Sequence, residues 1–259
     1  MIYEILEGVM VLMKQDSSTI SWDGIAEEWA KFSEGNDYRN HFIIPNTIDM
    51  MGNVKGKYVL DLGCGEGGYS RILANMGAEV TGIDCSYKTI EIAKEKSIKE
   101  GINSNYLIGN SSSLDEISDS TYDIVLSSMM LMDCEDFEGT IREIHRVLRN
   151  NGKLIMTILH PCFSGQGVGW KKDDLEGSFF KVDDYFSTVP WEEKISNAFS
   201  NTVIFRHRPL QDYFKTLLHF NFKLVNFKEP VPNQEQISAS NRMERLTRIP
   251  LFLFMEWEK

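Results

Sequence analysis

A chain of 259 residues with 27 Lys and Arg against 38 Asp and Glu carries a formal net charge of −11, at 42% hydrophobic and 25% charged residues. That is the composition of a globular protein, read as one domain with an added subregion, long enough to bury a core without disulfide or metal staples. It disfavours a nucleic-acid partner, because the chain repels polyanions on average and no long run of Lys or Arg reverses this locally.

The four cysteines, Cys64, Cys85, Cys134 and Cys162, lack C-x-x-C pairing and the density of a disulfide scaffold. A reduced, cytoplasmic compartment and no metal site are therefore expected. Residues 1–13 (MIYEILEGVMVLM) are apolar but interrupted by Glu4 and Glu7. With no positive region before them and too little length to span a bilayer, they read as a helix or strand packed on the body, and no membrane partner is expected.

Residues 22–32 and 41–51 read as two helices broken at Gly35 and Asn36. Residues 57–62 (KYVLDL) form a short apolar strand ended by Gly63-Cys64-Gly65-Glu66-Gly67-Gly68. Tyr69, Ile72, Leu73 and Met76 then recur at helical spacing before Gly77. Residues 78–83 make a second strand closed by Asp84, and Ser86 caps a helix that runs to Gly101. Residues 105–108 and 122–127 are the third and fourth strands. Phe137, Ile141, Ile144 and Leu148 mark a helix ended by Asn151-Gly152, and residues 153–159 are the fifth strand. Such alternation implies an α/β fold: a mostly parallel sheet with right-handed crossovers, covered on both faces, whose ligands sit at the carboxyl ends of the strands.

Residues 160–208 form a long insertion rich in Gly, Asp and aromatics, placed to overhang that ligand edge as a lid. A helix at 209–220 and strands at 222–227 and 251–256 follow, the strands joined by a polar loop over 230–242 and able to pair as an antiparallel end to the sheet. The chain thus divides into a helical cap (1–52), a nucleotide-binding core (53–159), a lid or acceptor-binding insertion (160–208) and a C-terminal part completing the sheet (209–259).

Gly63-x-Gly65-x-x-Gly68 formally satisfies the dinucleotide fingerprint, with Asp84 ending the next strand where ribose hydroxyls would lie. That motif alone is weak. Asp61 precedes the turn, Glu66 lies inside it, and no Arg or Lys offsets them. At roughly 4 Å and an effective dielectric near 20, a like-charge contact costs about 4 kcal/mol before screening, which disfavours a pyrophosphate and favours a cationic nucleoside.

VLDLGCGEGGYSRIL (59–73), VTGIDCS (80–86), GNSS (109–112), YDIVLSSMMLMD (122–133) and REIHRVLRNNGKLI (142–155) occur in that order. Together they resemble the successive motifs of class I S-adenosylmethionine-dependent methyltransferases, over about residues 59–159. The resemblance implies a Rossmann-like sheet of seven strands with the last one antiparallel. It also implies S-adenosyl-L-methionine as cofactor, with Asp61, Gly63, Cys64 and Gly65 around its methionine part and Asp84 on the ribose. Cys85 would lie along the adenine face, Asn110 and Ser111 would reach the adenine edge, Ser127 would face the methionyl group, and Ser86 is counted among the cofactor-binding residues. Many relatives carry Asp where Asn110 stands, and an Asn carbonyl can accept the same bond.

His160, ending the fifth strand, is the candidate catalytic residue, for acceptor binding or proton removal, with a structural role bonding the loop backbone as the alternative reading. His207 and Tyr213, in FRHRPLQDYF, resemble a segment that follows the lid in small-molecule members and are candidate acceptor-binding residues. Trp22, Trp29, Tyr38 and Arg39 are read as packing residues and not assigned. Met129, Met130 and Met132 are read as core and pocket wall.

The expected activity is methyl transfer from S-adenosylmethionine to a small-molecule acceptor by in-line displacement. No Asn-Pro-Pro-Tyr or Asp-Pro-Pro-Tyr element follows the fourth strand; Ser127-Ser128-Met129-Met130 stands there. Three rivals stay open: a cofactor-binding protein without catalysis, a methyltransferase acting on RNA or protein, and a nicotinamide-dependent reductase.

Overall fold

The computed structural model describes residues 3–6, 9–12, 16–173 and 177–259. Strands β1 (Tyr3–Leu6) and β2 (Val9–Leu12) pair as an antiparallel hairpin. The expected packing of this segment on the body lies outside the described residues.

Asp16 caps α1 (Ser17–Asp23), accepting the Thr19 amide at 2.7 Å, and Gly24 ends it before α2 (Ala26–Glu34). A π-helical turn, Arg39–Ile43, runs into α3 (Ile44–Met51). The first of the two expected helices is therefore two short ones. The core follows as β3 (Tyr58–Leu62), α4 (Gly68–Asn75), β4 (Glu79–Asp84), α5 (Tyr87–Glu100), β5 (Asn105–Ile108), β6 (Tyr122–Ser128), α6 (Phe137–Val147) and β7 (Leu148–Leu159). Ser86 caps α5 by accepting the Thr89 amide.

The expected start of the fifth core strand is displaced. Leu148 is already extended and pairs with Tyr122, so β7 begins directly where α6 ends, and its register with β6 then jumps to Ile124↔Lys153 around Asn151-Gly152. The insertion is not coil: β8 (Gly169–Asp173) pairs with β9 (Gly177–Lys181), and β10 (Trp191–Glu193) with β11 (Val203–Phe205), both antiparallel. Then come α7 (Leu210–His219), β12 (Lys223–Lys228), α8 (Gln234–Ala239), a 3-10 segment (Asn241–Thr247) and β13 (Phe252–Glu258). The polar loop expected over 230–242 folds instead, because Asn233 and Gln236 form a reciprocal capping box.

The seven-stranded sheet runs β12-β13-β7-β6-β3-β4-β5. Strands β7 to β5 are mutually parallel, and β13 lies antiparallel between β12 and β7. This is the Rossmann-like methyltransferase architecture. Period-two alternation divides its buried side chains between two cores. Leu60, Leu62, Val125, Leu154, Met156, Leu253 and Trp257 face α6 and α7. Val59, Ile124, Leu126, Ile155 and Phe254 face α3, α4 and the 3-10 segment. Cap, core and C-terminal segments thus share their cores. Strand order reverses at β3, between β6 and β4, which opens a crevice at the carboxyl ends of these strands. Among the described residues, no helix is long and apolar enough to cross a membrane.

Candidate active site

A cavity of about 450 Å³ fills that crevice, within the range of small-molecule sites. Its floor comes from the strand ends: Leu62 to Glu66 after β3, Asp84 and Cys85 after β4, Gly109 to Ser111 after β5, Ser128 to Met130 after β6 and Leu159 of β7. Its roof is aromatic. Trp22, Trp29 and Phe32 descend from the N-terminal helices, and Ile195 and Phe205 reach in from the insertion. Trp22 and Trp29 stack edge-on with ring centroids 5.4 Å apart, and the roof has a small core of its own in Ile25, Phe199 and Val203.

The glycine turn is built for close approach. Gly63 has φ +75°, and a Cβ there would collide with the Met130 side chain. The amides of Gly63 and Cys64 donate to the Ile83 carbonyl at 2.8 and 3.0 Å, Gly67 N–H to the Cys64 carbonyl, and Gly65 N–H to Asp84 Oδ2 at 2.8 Å. These are the groups a phosphate-binding turn would aim at its anion. Here they are spent inside the protein, one of them on a carboxylate, so the turn fits a phosphate-free nucleoside and not a dinucleotide.

Asp84 is held from below. Its Oδ1 accepts the Ser86 amide at 2.9 Å and Thr89 Oγ1 at 3.1 Å, while Oδ2 accepts the Gly65 amide at 2.8 Å and keeps spare acceptor capacity toward the cavity. Burial nevertheless raises its carboxyl above the usual range against those bonds.

Other assigned residues fall differently. Gly63, Cys64, Gly65, Cys85, Asn110 and Ser111 line the cavity with Asp84, and burial pushes both the Cys64 and Cys85 thiols up. Asn110 is committed to the protein on both sides of its amide: Nδ2 donates to Asp16 Oδ2 at 2.8 Å, and Oδ1 accepts from the Ser112 amide and hydroxyl. Asp61 lies beneath the turn, not at its surface. It accepts Ser70 Oγ at 2.6 Å, and burial, opposed by that bond, raises it to about 6. Ser86 caps α5 and donates to Asp23 at 2.8 Å instead of lining the cavity.

Three expectations are corrected. Ser127 does not face the cavity, because strand alternation turns it to the α6 side, where its hydroxyl is fully buried and, among the described residues, without a partner. Ser128 lines the cavity in its place and donates to Tyr69 Oη at 3.3 Å. Glu66 is not left without offsetting charge: Arg39, Arg71 and Lys96 reach it at 2.8, 2.9 and 3.1 Å and, against the cost of burial, hold it below its ordinary range. Arg39 and Lys96 are distant in sequence, so the turn alone did not reveal them. Gly68 matters here, since a Cβ would collide with the Arg39 guanidinium.

The third correction is His160. Its Nε2 pairs with Glu229 Oε1 at 2.8 Å and its Nδ1 accepts the Cys162 amide at 3.1 Å. The ring is buried, outside the cavity lining, and burial lowers its pKa despite Glu229. Both nitrogens are occupied in fixing the strand-to-insertion corner. His207 and Tyr213 also stand away from the main cavity, on a smaller one of about 40 Å³. There His207 bonds the Tyr185 carbonyl at 2.7 Å, and Tyr213 packs on Phe137.

Lining residues not assigned from the sequence include Trp22, Trp29, Phe32, Tyr38, Arg39, Asp133 and Phe205. Aromatic side chains at helical spacing carry no local sign that separates a cavity roof from a core.

Comparison with known proteins agrees with this geometry. Residues 60–156 match the family model of a methyltransferase domain. Over 149 residues the chain is 32% identical to a ubiquinone biosynthesis O-methyltransferase of Coxiella burnetii, the match covering 53% of this chain and 63% of that protein, so the chain spans less than two thirds of that relative. A candidate S-adenosylmethionine dependent methyltransferase from Listeria monocytogenes superposes with TM-score 0.70 at 27% identity, over 84% of this chain and 96% of that one. An S-adenosylmethionine dependent methyltransferase from Mesorhizobium loti superposes with TM-score 0.72 at 24% identity, over 88% and 100%. With the ordered motifs and a glycine turn whose amides are spent inside the protein, these show a methyltransferase domain over residues 60–156, of the S-adenosylmethionine-dependent kind and carried on the class I fold, with S-adenosyl-L-methionine as its implied cofactor.

Proposed function

We propose that this methyltransferase acts on a small molecule with an apolar body and a hydroxyl acceptor. The observation that carries the reading is the roof: Trp22, Trp29, Phe32, Ile195 and Phe205 overhang the strand ends, leaving about 450 Å³ for donor and acceptor together. A macromolecular acceptor would need an open track, and a net charge of −11 opposes RNA. Oxygen as the methylated atom is supported by the name of the Coxiella burnetii relative.

The donor supplies a methyl group already activated for displacement, so the protein's work is positioning and exclusion of water. Asp84 would hold the ribose hydroxyls, the Gly63–Gly65 backbone the methionine part, and Cys85 would lie along the adenine, with Asn110 held to Asp16 and Ser112 at its edge. Trp22 and Trp29 would cover the pair from solvent. The cysteines, none of them in a disulfide, suit a reducing compartment such as the cytoplasm.

The reading is tested by incubating purified protein and isotopically labelled donor with pooled cell metabolites, then searching by mass spectrometry for labelled low-mass products. A labelled hydroxyl-bearing apolar metabolite is the expected result. Label found only in RNA or protein added to the mixture contradicts it.

A further inference from the structure

Asp133 stands in the loop between β6 and α6 and lines both cavities. The smaller runs on from the larger, since Met132, Asp133, Leu159 and Phe205 line each. Asp133 is 6% exposed. A carboxylate so buried is ordinarily paired or hydrogen-bonded, and two arginines stand near enough to act on its charge. Neither pairs with it. Arg206 donates to the Asp133 backbone carbonyl at 3.0 Å and to Ser17, Ser18 and Glu135. Arg208 donates to the carbonyls of Leu131, Met132 and Cys134. The two guanidiniums thus clamp the backbone of the loop that carries Asp133 while leaving its carboxylate, among the described residues, without a hydrogen-bond or ion-pair partner.

We propose that Asp133 is the base of the methyl transfer, accepting the proton of an un-ionised hydroxyl presented by the acceptor, with Arg206 and Arg208 as positioning residues. This rests on the methyl-transfer reading above and goes beyond it by naming the base and the ionisation state of the substrate. The acceptor oxygen forms its bond to the methyl carbon as the carbon–sulfur bond breaks and leaves its electron pair on sulfur. The hydroxyl proton passes to the Asp133 carboxylate and later to solvent. His160 is unavailable for the role, both of its nitrogens being engaged.

The electrostatics agree with the geometry. Burial raises Asp133 to about 7 against the opposing charges of Arg206 and Arg208, the range in which a base works at neutral pH. The other titratable groups that feel its charge are Cys134 on its own loop and Tyr213 on α7, both shifted upward mainly by burial.

The test compares wild type and Asp133→Asn with pooled cell metabolites as acceptor source and labelled donor. The variant should bind S-adenosylhomocysteine as wild type does, lose about a hundredfold or more in labelling rate, and lose the acidic limb of the pH–rate profile. It should also melt higher than wild type above pH 7. A carboxyl raised in the folded state lowers stability as pH rises from the unfolded pKa to the folded one, and Asn abolishes that loss. Equal labelling by both proteins overturns the assignment of Asp133 alone. A variant that melts lower at every pH, or loses S-adenosylhomocysteine binding, makes Asp133 structural and overturns it too. No labelling by wild type removes the methyl-transfer reading and this inference with it.

Discussion

Arg39, in the π-helical turn before α3, donates to Glu66 in the glycine turn at 2.8 Å, which latches the N-terminal cap onto the loop beneath the cavity. Arg71 and Lys96 bind the same carboxylate, and Lys96 also reaches Glu34 at the end of α2. Glu66→Gln leaves three cations facing a neutral amide. Loss of one member of a buried ion pair costs about 3 kcal/mol, so the variant should melt lower and bind S-adenosylhomocysteine more weakly as the roof loosens. The depressed carboxyl fixes the sign of the pH effect. Its stabilisation is present above the unfolded pKa and lost as pH falls through the folded one, so the acid-side loss of stability should be shallower in Glu66→Gln. Chemical denaturation at pH 7 and pH 4 measures both effects.

Asp84→Ala should leave the fold intact and weaken S-adenosylhomocysteine binding by about 2 kcal/mol, the scale of hydrogen bonds to a charged group. Isothermal titration calorimetry reads this directly. Unchanged affinity would remove Asp84 from the ribose.

His160→Asn should melt lower while its folded fraction turns over normally, because the ring joins Glu229 to the Cys162 amide and does not meet the cavity. The lowered pKa means that the unfolded chain takes up a proton near pH 6.5 that the folded protein refuses, so wild-type stability falls as pH drops through that region. The variant should lack this step in melts run between pH 5 and 8. A turnover defect at full stability would return His160 to the reaction.

Ile195 and Phe205 reach the cavity from the segment that also carries β10 and β11. Hydrogen exchange of residues 191–205 should slow when S-adenosylhomocysteine is bound, whereas residues 177–181 of β9, outside the lining, should change less. Equal response of the two hairpins would separate the insertion from ligand binding.

What could be read from the sequence was whatever is encoded locally. Short apolar strands, glycine stops and Asp84 mark β3 to β6 within a residue, and the ordered motifs carry the antiparallel seventh strand. Ser127 was misplaced for its neighbour Ser128 because a one-residue shift in a strand exchanges its faces. Arg39 meets Glu66 across 27 positions, and the Arg206 and Arg208 clamp on residues 131–134 spans more than 70. No window along the chain displays such pairings. The same holds for Trp22 and Trp29: nothing local separates an aromatic that roofs a cavity from one that fills a core.

The central claim, that one roofed cavity holds the donor and a small acceptor together, is tested most directly by a single-turnover partition. Protein loaded with methyl-labelled S-adenosylmethionine is divided between the low-mass and the macromolecular fractions of the same cell extract, and label is followed out of the donor in each. Discharge into the low-mass fraction alone, abolished by Asp84→Ala, is the predicted result. Discharge into the RNA or protein fraction, or none in either, would contradict the claim.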